Sequence, residues 1–313
     1  MKTPDGKTPA ADPSKPAKKR LRVSDLGEAF QALPPAARVS FVRDNAEHFP
    51  AELWIRIQKP KAGLLDYAPS DIMLRVTSKT EWRRLRSCSK EPFTVAWIER
   101  MIDAGDVLYD IGANVGAYSL VAARKPTGAA RVFAFEASLE NVAALGHNIV
   151  LNGVARDVTP LPIALSNTNG LGTFNLRQIE PGSAKHMLEG DSPDGPTLYA
   201  QPVITYRLDD LIRLLDLPLP HHIKLDVDGC EMAVLEGATG TLASPALKTL
   251  LVEVSMDLSA QVTQFVEARG LHLCWRAKIR SKSGVYRVWY GLFLRSPAEP
   301  IDLPTPPAAE VVA

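Results

Sequence analysis

The spacing of apolar residues changes near residue 107. Beyond it, short apolar runs of strand length alternate with stretches whose apolar residues recur at helical spacing. Runs at 107–111, 131–135, 158–165, 222–226 and 249–254 predict strands, and 115–124, 139–151, 231–242 and 258–269 predict helices between most of them. A parallel neighbour can be reached only by a crossover, so this alternation predicts βαβ units, an α/β fold and a mostly parallel sheet. Two later runs, 271–277 and 291–294, predict a hairpin-like pair that closes the sheet. Runs at 172–176 and 203–206 predict extra strands flanking an insertion at 178–199, which is rich in Gly, Pro, Ser and Asp. One more helix is predicted over 91–102, with Pro92 in its first turn and Phe93, Trp97, Ile98 and Met101 at helical spacing.

Before residue 91 the pattern is less regular. Apolar residues follow Pro34-Pro35 (Ala36, Val39, Phe41, Val42) and Pro50 (Leu53, Trp54, Ile55, Ile57), so 23–90 reads as a small helical and mixed N-terminal cap. Residues 1–22 mix Pro, Lys, Thr and Asp and end in Lys18-Lys19-Arg20; a segment with so little apolar surface to bury is expected to be a disordered basic tail. Residues 297–313 are expected to be a flexible tail. The α/β domain proper is expected over 91–296.

Composition narrows the function classes. The 36 Lys and Arg balance 35 Asp and Glu, which disfavours nucleic acid as a partner. Cys88, Cys230 and Cys274 are odd in number and lack metal-site spacing, which fits reduced thiols rather than a disulfide framework. No run approaches the ~20 apolar residues of a membrane span, and no signal-like segment opens the chain, so a cytoplasmic protein is expected.

Three signals carry chemistry. In Asp110-Ile111-Gly112-Ala113-Asn114-Val115-Gly116, a strand runs into a glycine turn that opens a helix; Gly112 and Gly116 allow a sharp bend and close approach of a ligand. The turn lacks the close glycine pair that receives a pyrophosphate, so a less phosphate-like ligand than NAD is expected. Glu136, followed by Ala137, ends the next strand, where a carboxylate can accept hydrogen bonds from both ribose hydroxyls of a nucleoside. The run Ile223-Lys224-Leu225-Asp226-Val227-Asp228-Gly229-Cys230-Glu231 is a third strand ending in acids. Ligands of open α/β sheets lie outside the strands' carboxyl ends, so Asp226 and Asp228 should share a crevice with Asp110 and Glu136. So much buried negative charge calls for a sulfonium, a divalent cation or protonation of one member. Glu231 can equally be read as an acid placed to suit the first turn of a helix.

The stretch from about 107 to 254 resembles the FkbM family of methyltransferases, through VLYDIGANVGAYSL, FAFEAS, ITYRLDDLI, IKLDVDGCEMAVLEGA and LLVEVS. The resemblance implies a class I methyltransferase fold, a Rossmann-like and mostly parallel seven-stranded sheet with helices on both faces. It implies S-adenosylmethionine as cofactor and a hydroxyl of a saccharide or other small molecule as acceptor. It further implies that Asp110, Gly112, Ala113, Asn114 and Gly116 shape the methionine side of the site, that Glu136 and Ala137 lie at the ribose, and that 226–231 lie beside the transferred methyl. Two departures stand out: Ala137 replaces a common proline, and Asp228 a common glutamate.

A sugar hydroxyl is a poor nucleophile at neutral pH, so a positioned base is expected. Asp226 and Asp228 are the first candidates, Glu231 lies beside them, and His186 in the insertion is the second choice. A divalent metal is left undetermined. The competing readings are a non-catalytic S-adenosylmethionine-binding relative and an NAD-dependent oxidoreductase.

Overall fold

The computed structural model describes residues 61–184, 186–190, 195–280, 286–296, 301–305 and 309–311, with isolated positions 29, 32, 33 and 41. Met1–Lys59 and Pro60–Ala313 are separate packing units, and the second carries every element below. The tail expected at 1–22 lies outside the described residues, as does almost all of the apolar sequence following Pro34-Pro35 and Pro50.

In chain order, β1 (Lys61–Leu64) and β2 (Met73–Val76) form an antiparallel pair. Helices α1 (Lys79–Arg84), α2 (Ser87–Lys90) and α3 (Pro92–Met101) lead into β3 (Val107–Ile111), α4 (Ala117–Arg124), β4 (Arg131–Phe135), α5 (Leu139–Leu151) and β5 (Val158–Leu161). Then come β6 (Ala164–Leu165), β7 (Gly170–Leu176), β8 (Met187–Leu188), β9 (Tyr199–Tyr206), α6 (Leu208–Leu215) and β10 (His222–Leu225). The last elements are α7 (Glu231–Gly237), α8 (Thr239–Ala243), β11 (Thr249–Ser255), α9 (Ser259–Glu267), β12 (His272–Arg280), β13 (Tyr286–Leu294) and β14 (Ala309–Val311).

The large sheet has eight strands in the order β14-β12-β13-β11-β10-β3-β4-β5. From β5 to β11 neighbours are parallel, whereas β13, β12 and β14 add antiparallel strands. The seven expected strands are therefore present, and β14 makes an eighth at the edge. It falls inside the segment expected to be a flexible tail, where Leu303 is also buried in the core.

Strands buried on both faces need apolar residues at every position, and the two faces divide them by period two. Val107, Tyr109 and Ile111 pack with Leu208, Leu211, Leu235 and Val262 on one side. Leu108, Val132 and Ala134 pack with Phe93, Trp97, Leu120 and Leu145 on the other. The chain leaves β3 for β4 on one flank and returns to β10 on the other, so the crevice opens at a reversal of strand order beyond the carboxyl ends of β3 and β10.

Three details differ from the pattern. The run 158–165 is not one strand: β5 ends at Leu161, and β6 joins β9, β7 and β8 in a separate four-stranded sheet. The helix expected over 231–242 breaks at Ala238, where Gly237 lies so close to Ser166 that a Cβ would stand 2.0 Å from its carbonyl oxygen. Helix α6 was not among the predicted helices, although its one-sided Leu208, Leu211 and Ile212 are buried.

The segment before α3 and the insertion meet. Ser78 and Thr80 hydroxyls each donate to the Pro181 carbonyl at 2.8 Å, and Arg84 Nε donates to the Gly182 carbonyl at 2.9 Å. A capping box in which Ser78 and Glu81 each accept the other's backbone N–H fixes the start of α1. The α1 surface that receives the insertion is thereby held in place.

Candidate active site

The turn after β3 is built by close backbone contact. Gly112 has φ +83°, and a Cβ there would fall 1.8 Å from the Asp226 carbonyl oxygen, so no side chain fits. Gly112 and Ala113 N–H both donate to the Phe135 carbonyl, at 2.9 and 3.0 Å. Asn114 is also left-handed, at φ 52°, and its side-chain amide donates to the Ser183 carbonyl at 2.7 Å. Gly116 (φ +88°) opens α4 against Leu145. Asp110 lies beneath the turn, 1% exposed: Ser119 Oγ donates to its Oδ2 at 2.6 Å, and Oδ1 has no hydrogen-bond partner. Burial raises the Asp110 carboxyl above its ordinary value, against the pull of Lys224 and the Ser119 hydroxyl.

Glu136, at the end of β4, is buried and receives two backbone donors, Asn114 N–H and Ser138 N–H, both at 2.8 Å. It thus joins the two turns of the crevice. A carboxylate has about four lone-pair sites, so two such bonds leave acceptor capacity for a ligand's hydroxyls. Burial pushes Glu136 up, opposed by those amides. Ala137 is fixed through its carbonyl, which accepts Gln201 Nε2–H at 2.8 Å.

Beyond β10 the acids meet a cation that the sequence reading had not enlisted. Lys224 is 4% exposed and donates to Asp226 Oδ2 at 3.0 Å. Burial would lower the Lys224 ammonium, but Asp226, Asp110 and Glu91 together hold it above its ordinary value. Burial would likewise raise Asp226, yet Lys224 and Lys90 keep it ionised below the usual range. Part of the expected excess of negative charge is therefore neutralised by the fold itself.

Asp228 (φ 55°) and Gly229 (φ 113°) form a left-handed turn after Asp226, and Asp228 is exposed. Glu231 Oε1 accepts Gly229 N–H at 2.8 Å, while its Oε2 is buried without a partner. Burial pushes Glu231 up to about 7, against the hydrogen bond from Gly229. Cys230 donates weakly to the Val227 carbonyl at 3.8 Å, and burial raises its thiol to about 12, as for a packing residue.

His186 is 3% exposed, with both nitrogens engaged: Nδ1 accepts Arg177 N–H at 3.2 Å, and Nε2 lies 3.0 Å from Ser183 Oγ. Burial, with Arg177 and Arg84 nearby, lowers it to about 4. The ring is therefore neutral near pH 7 and ties the insertion together.

Two adjoining clefts result. The inner one, about 70 Å³, has apolar walls that include Ile163, Phe174 and Val227, with Glu136, Ala137 and His186 at its border. The outer one, about 520 Å³, is bordered by α1, Lys90 and Arg177. Both are lined by Gly112, Asn114, Ser183, Ala184, Asp226 and Asp228. The clefts thus unite seven of the predicted residues in the inner lining and at the shared wall: Gly112, Asn114, Glu136, Ala137, His186, Asp226 and Asp228. Ala113 borders a smaller adjoining pocket, and Asp110, Gly116 and Glu231 stand behind the lining.

One group among the described residues could hold a metal ion: Glu91, Asp226 and Glu253 offer oxygens within 4.8 Å of one another. Each already has a partner. Lys90 donates to Glu91 at 2.7 Å, Lys224 to Asp226, and the Tyr290 hydroxyl to Glu253. Burial, with Asp226 and Glu91 adding to it, raises Glu253 well above its ordinary value.

Lys224 had a local signal, a lone cation inside an apolar strand. Ser183, Arg84 and Arg177 had none, because only the docking of the insertion on α1 brings them to the clefts.

Residues 110–274, more than half of the 313-residue chain, match the Methyltransferase FkbM domain. The hexuronic acid methyltransferase AglP of Haloferax volcanii is 29% identical over 183 residues, spanning 58% of this chain and 70% of that protein. A solved methyltransferase FkbM from Methylobacillus flagellatus KT has a TM-score of 0.45 and 13% identity, over 68% of this chain and 52% of its own. The precorrin-6y C5,15-methyltransferase of Geobacter metallireducens GS-15 gives 0.39 and 16%, over 66% and 87%. No helix among the described residues is long and apolar enough to cross a membrane. With its glycine turn, buried Glu136 and acidic strand end in one crevice, the chain belongs to the FkbM family of S-adenosylmethionine-dependent methyltransferases.

Proposed function

We propose that the protein methylates a hydroxyl oxygen of a saccharide or related natural product, with Asp228 as general base. The observation that carries this reading is the wall shared by the two clefts, on which Asp228 borders both a narrow apolar cleft and a wider one. A saccharide acceptor is further supported by the relative AglP, a hexuronic acid methyltransferase.

The residues fit the cofactor. Apolar Ile163, Phe174 and Val227 suit a flat base, Glu136 has lone pairs left for ribose hydroxyls, and the turn at 112–116 borders the methionine end. When bound, S-adenosylmethionine supplies a methyl group on a sulfonium. Asp228 takes the hydroxyl proton as the acceptor oxygen attacks; Asp226, locked to Lys224, is a poor base and an orienting anion. Glu231 holds the Gly229 amide and so positions Asp228, rather than touching the reacting atoms. His186 has both nitrogens committed and serves the insertion. The segment before α3 and the insertion select the acceptor. Because Glu91, Asp226 and Glu253 already have partners, transfer is expected to survive a chelator.

The test is transfer of labelled methyl to a saccharide panel. Asp228→Asn should lower kcat by about 10² to 10⁴ while S-adenosylmethionine affinity holds. A variant as fast as wild type would remove Asp228 as the base, and a protein that binds cofactor but methylates no saccharide would remove the acceptor class.

A further inference from the structure

One buried amide joins the acid at the end of β4 to the insertion. Asn141, in the first turn of α5, is 1% exposed, on the helix face that also buries Ala144, Leu145 and Asn148. An amide so placed is costly unless its polar atoms find partners, and here they do. Its Oδ1 accepts Gly182 N–H at 2.8 Å, and its Nδ2 donates to the Ser183 carbonyl at 3.2 Å. The same side chain is close enough to Glu136 to oppose the effect of burial on its carboxyl. Gly182 N–H can only donate, whereas the Ser183 carbonyl and an ionised Glu136 can only accept, so the partners fix which way the amide faces.

The 181–183 segment is bonded on two sides. On one, α1 holds the Pro181 and Gly182 carbonyls through Ser78, Thr80 and Arg84. Gly182 lies so tightly there that a Cβ would stand 2.8 Å from Glu81 N. On the other side, the Ser183 carbonyl receives Asn114 Nδ2 at 2.7 Å as well as Asn141, which engages both of its lone pairs. Asn114 and Asn141 are also the two residues through which this segment is joined to Glu136. Ser183 and Ala184 then border both clefts. We propose that Asn141 is a positioning residue for the transfer: it ties the 181–184 wall to Glu136, so that a donor's ribose settling on Glu136 fixes the wall that the acceptor meets. By linkage, each ligand then favours binding of the other by the same factor. This rests on the reading of Glu136 as the acid that holds the ribose.

Amide exchange read by mass spectrometry on the full chain tests it, with and without saturating S-adenosylhomocysteine. In the wild-type protein the ligand should slow exchange at 182–184 about fivefold or more, the low end of ordinary coupling between sites. Asn141→Asp keeps the acceptor for Gly182 N–H but sets an oxygen against the Ser183 carbonyl and Glu136. That variant should still bind S-adenosylhomocysteine at higher concentration, and the slowing should vanish. Thr80→Val loosens the α1 side alone, so exchange should be faster throughout, yet slowed by the ligand by the wild-type factor. If Asn141 is merely structural, Asn141→Asp will behave as Thr80→Val is expected to, and that result overturns the proposal. So does wild-type exchange that ignores the ligand while Glu136→Gln weakens its binding, an outcome that leaves Glu136 at the ribose. Wild-type affinity in Glu136→Gln removes the ribose acid and the proposal with it. Should Asn141→Asp not fold, adenosine and 2′,3′-dideoxyadenosine on the wild-type protein decide: slowing by the first alone supports the coupling, and equal slowing by both overturns it.

Discussion

The two ends of one sheet treat buried charge in opposite ways. At the amino ends of β3, β10 and β11, Trp97 Nε1 donates to Thr249 Oγ1 at 2.9 Å, and Thr249 Oγ1 lies 2.8 Å from His222 Nδ1. His222 Nε2 lies 2.9 Å from Asp106, which also receives Lys248 at 2.9 Å. One tautomer of His222, with its proton on Nε2, satisfies this chain link by link. At the carboxyl ends, Asp110 Oδ1 and Glu231 Oε2 are buried without partners. Unmet buried polar atoms are costly, so these two carboxylate oxygens leave acceptor capacity at the end of the sheet where the clefts lie. Neither end is distinguished by its number of charges. They differ in completion.

The largest effect should come from breaking the complete end. Asp106→Ala leaves the buried His222 N–H without its acceptor and frees half-exposed Lys248, and should lower unfolding free energy by on the order of 3 kcal/mol in urea titrations. Affinity for S-adenosylmethionine should stay within about twofold where the protein is folded, since the clefts lie at the other end of the sheet. A parallel collapse of binding would erase the distinction between the ends. Next, Glu136→Gln keeps one carbonyl acceptor for the turn but removes the charge offered to the ribose. Cofactor affinity should fall by about 1.5–3 kcal/mol by calorimetry, and stability by about 1–3 kcal/mol, because the amide N–H₂ faces one of the two backbone donors. Unaltered affinity would withdraw Glu136 from the ribose.

Much of the open end is legible in the sequence because its parts are local. A strand, a glycine turn and an acid at the next strand's end are contiguous or periodic features, and the sheet order places them together. Lys224 was readable as an oddity but not as a partner, since its meaning depends on β3 lying beside β10 and bringing Asp110 near. The complete end was opaque. Nothing in the sequence marks His222, because Asp106, Thr249 and Trp97 come from three other parts of the chain. The outer cleft was hidden for the same reason, as it exists only where the insertion docks on α1. The edge strand β14 was missed because three residues in a Pro- and Ala-rich segment show no period.

The third effect concerns pH. Glu231 is raised to about 7 from 4.5, so its protonated form favours the fold: that stability is full below pH 4.5 and is lost as pH climbs through 7. His222 is lowered to about 4 from 6.5, so its neutral form favours the fold, and stability falls as pH drops from 6.5 towards 4. The two opposing slopes overlap between pH 4.5 and 6.5. Glu231→Gln removes the first, and the variant should gain on the order of 2 kcal/mol over wild type on moving from pH 4.5 to 8. Denaturation curves across that range check it, and superimposable profiles would mean that Glu231 ionises freely.

The smallest and most discriminating change is Asp110→Asn. The substitution is isosteric, and its carbonyl oxygen can still accept the Ser119 hydroxyl, so the bond at 2.6 Å survives. What changes is the other atom: an acceptor without a partner becomes an N–H₂ donor, and one charge opposite Lys224 disappears. If Oδ1 were merely a packing defect, the neutral amide should be tolerated, and burial of the Asp110 charge would no longer cost anything. If Oδ1 is held for the cofactor's cationic methionine end, stability should move by less than about 1 kcal/mol while S-adenosylmethionine affinity drops roughly tenfold. Sinefungin, whose amine is likewise cationic, should lose as much, whereas decarboxylated and deaminated adenosine analogues should lose almost nothing. Equal losses for all of them would place the effect in the turn's geometry, and Asp110 would then belong with the complete end of the sheet.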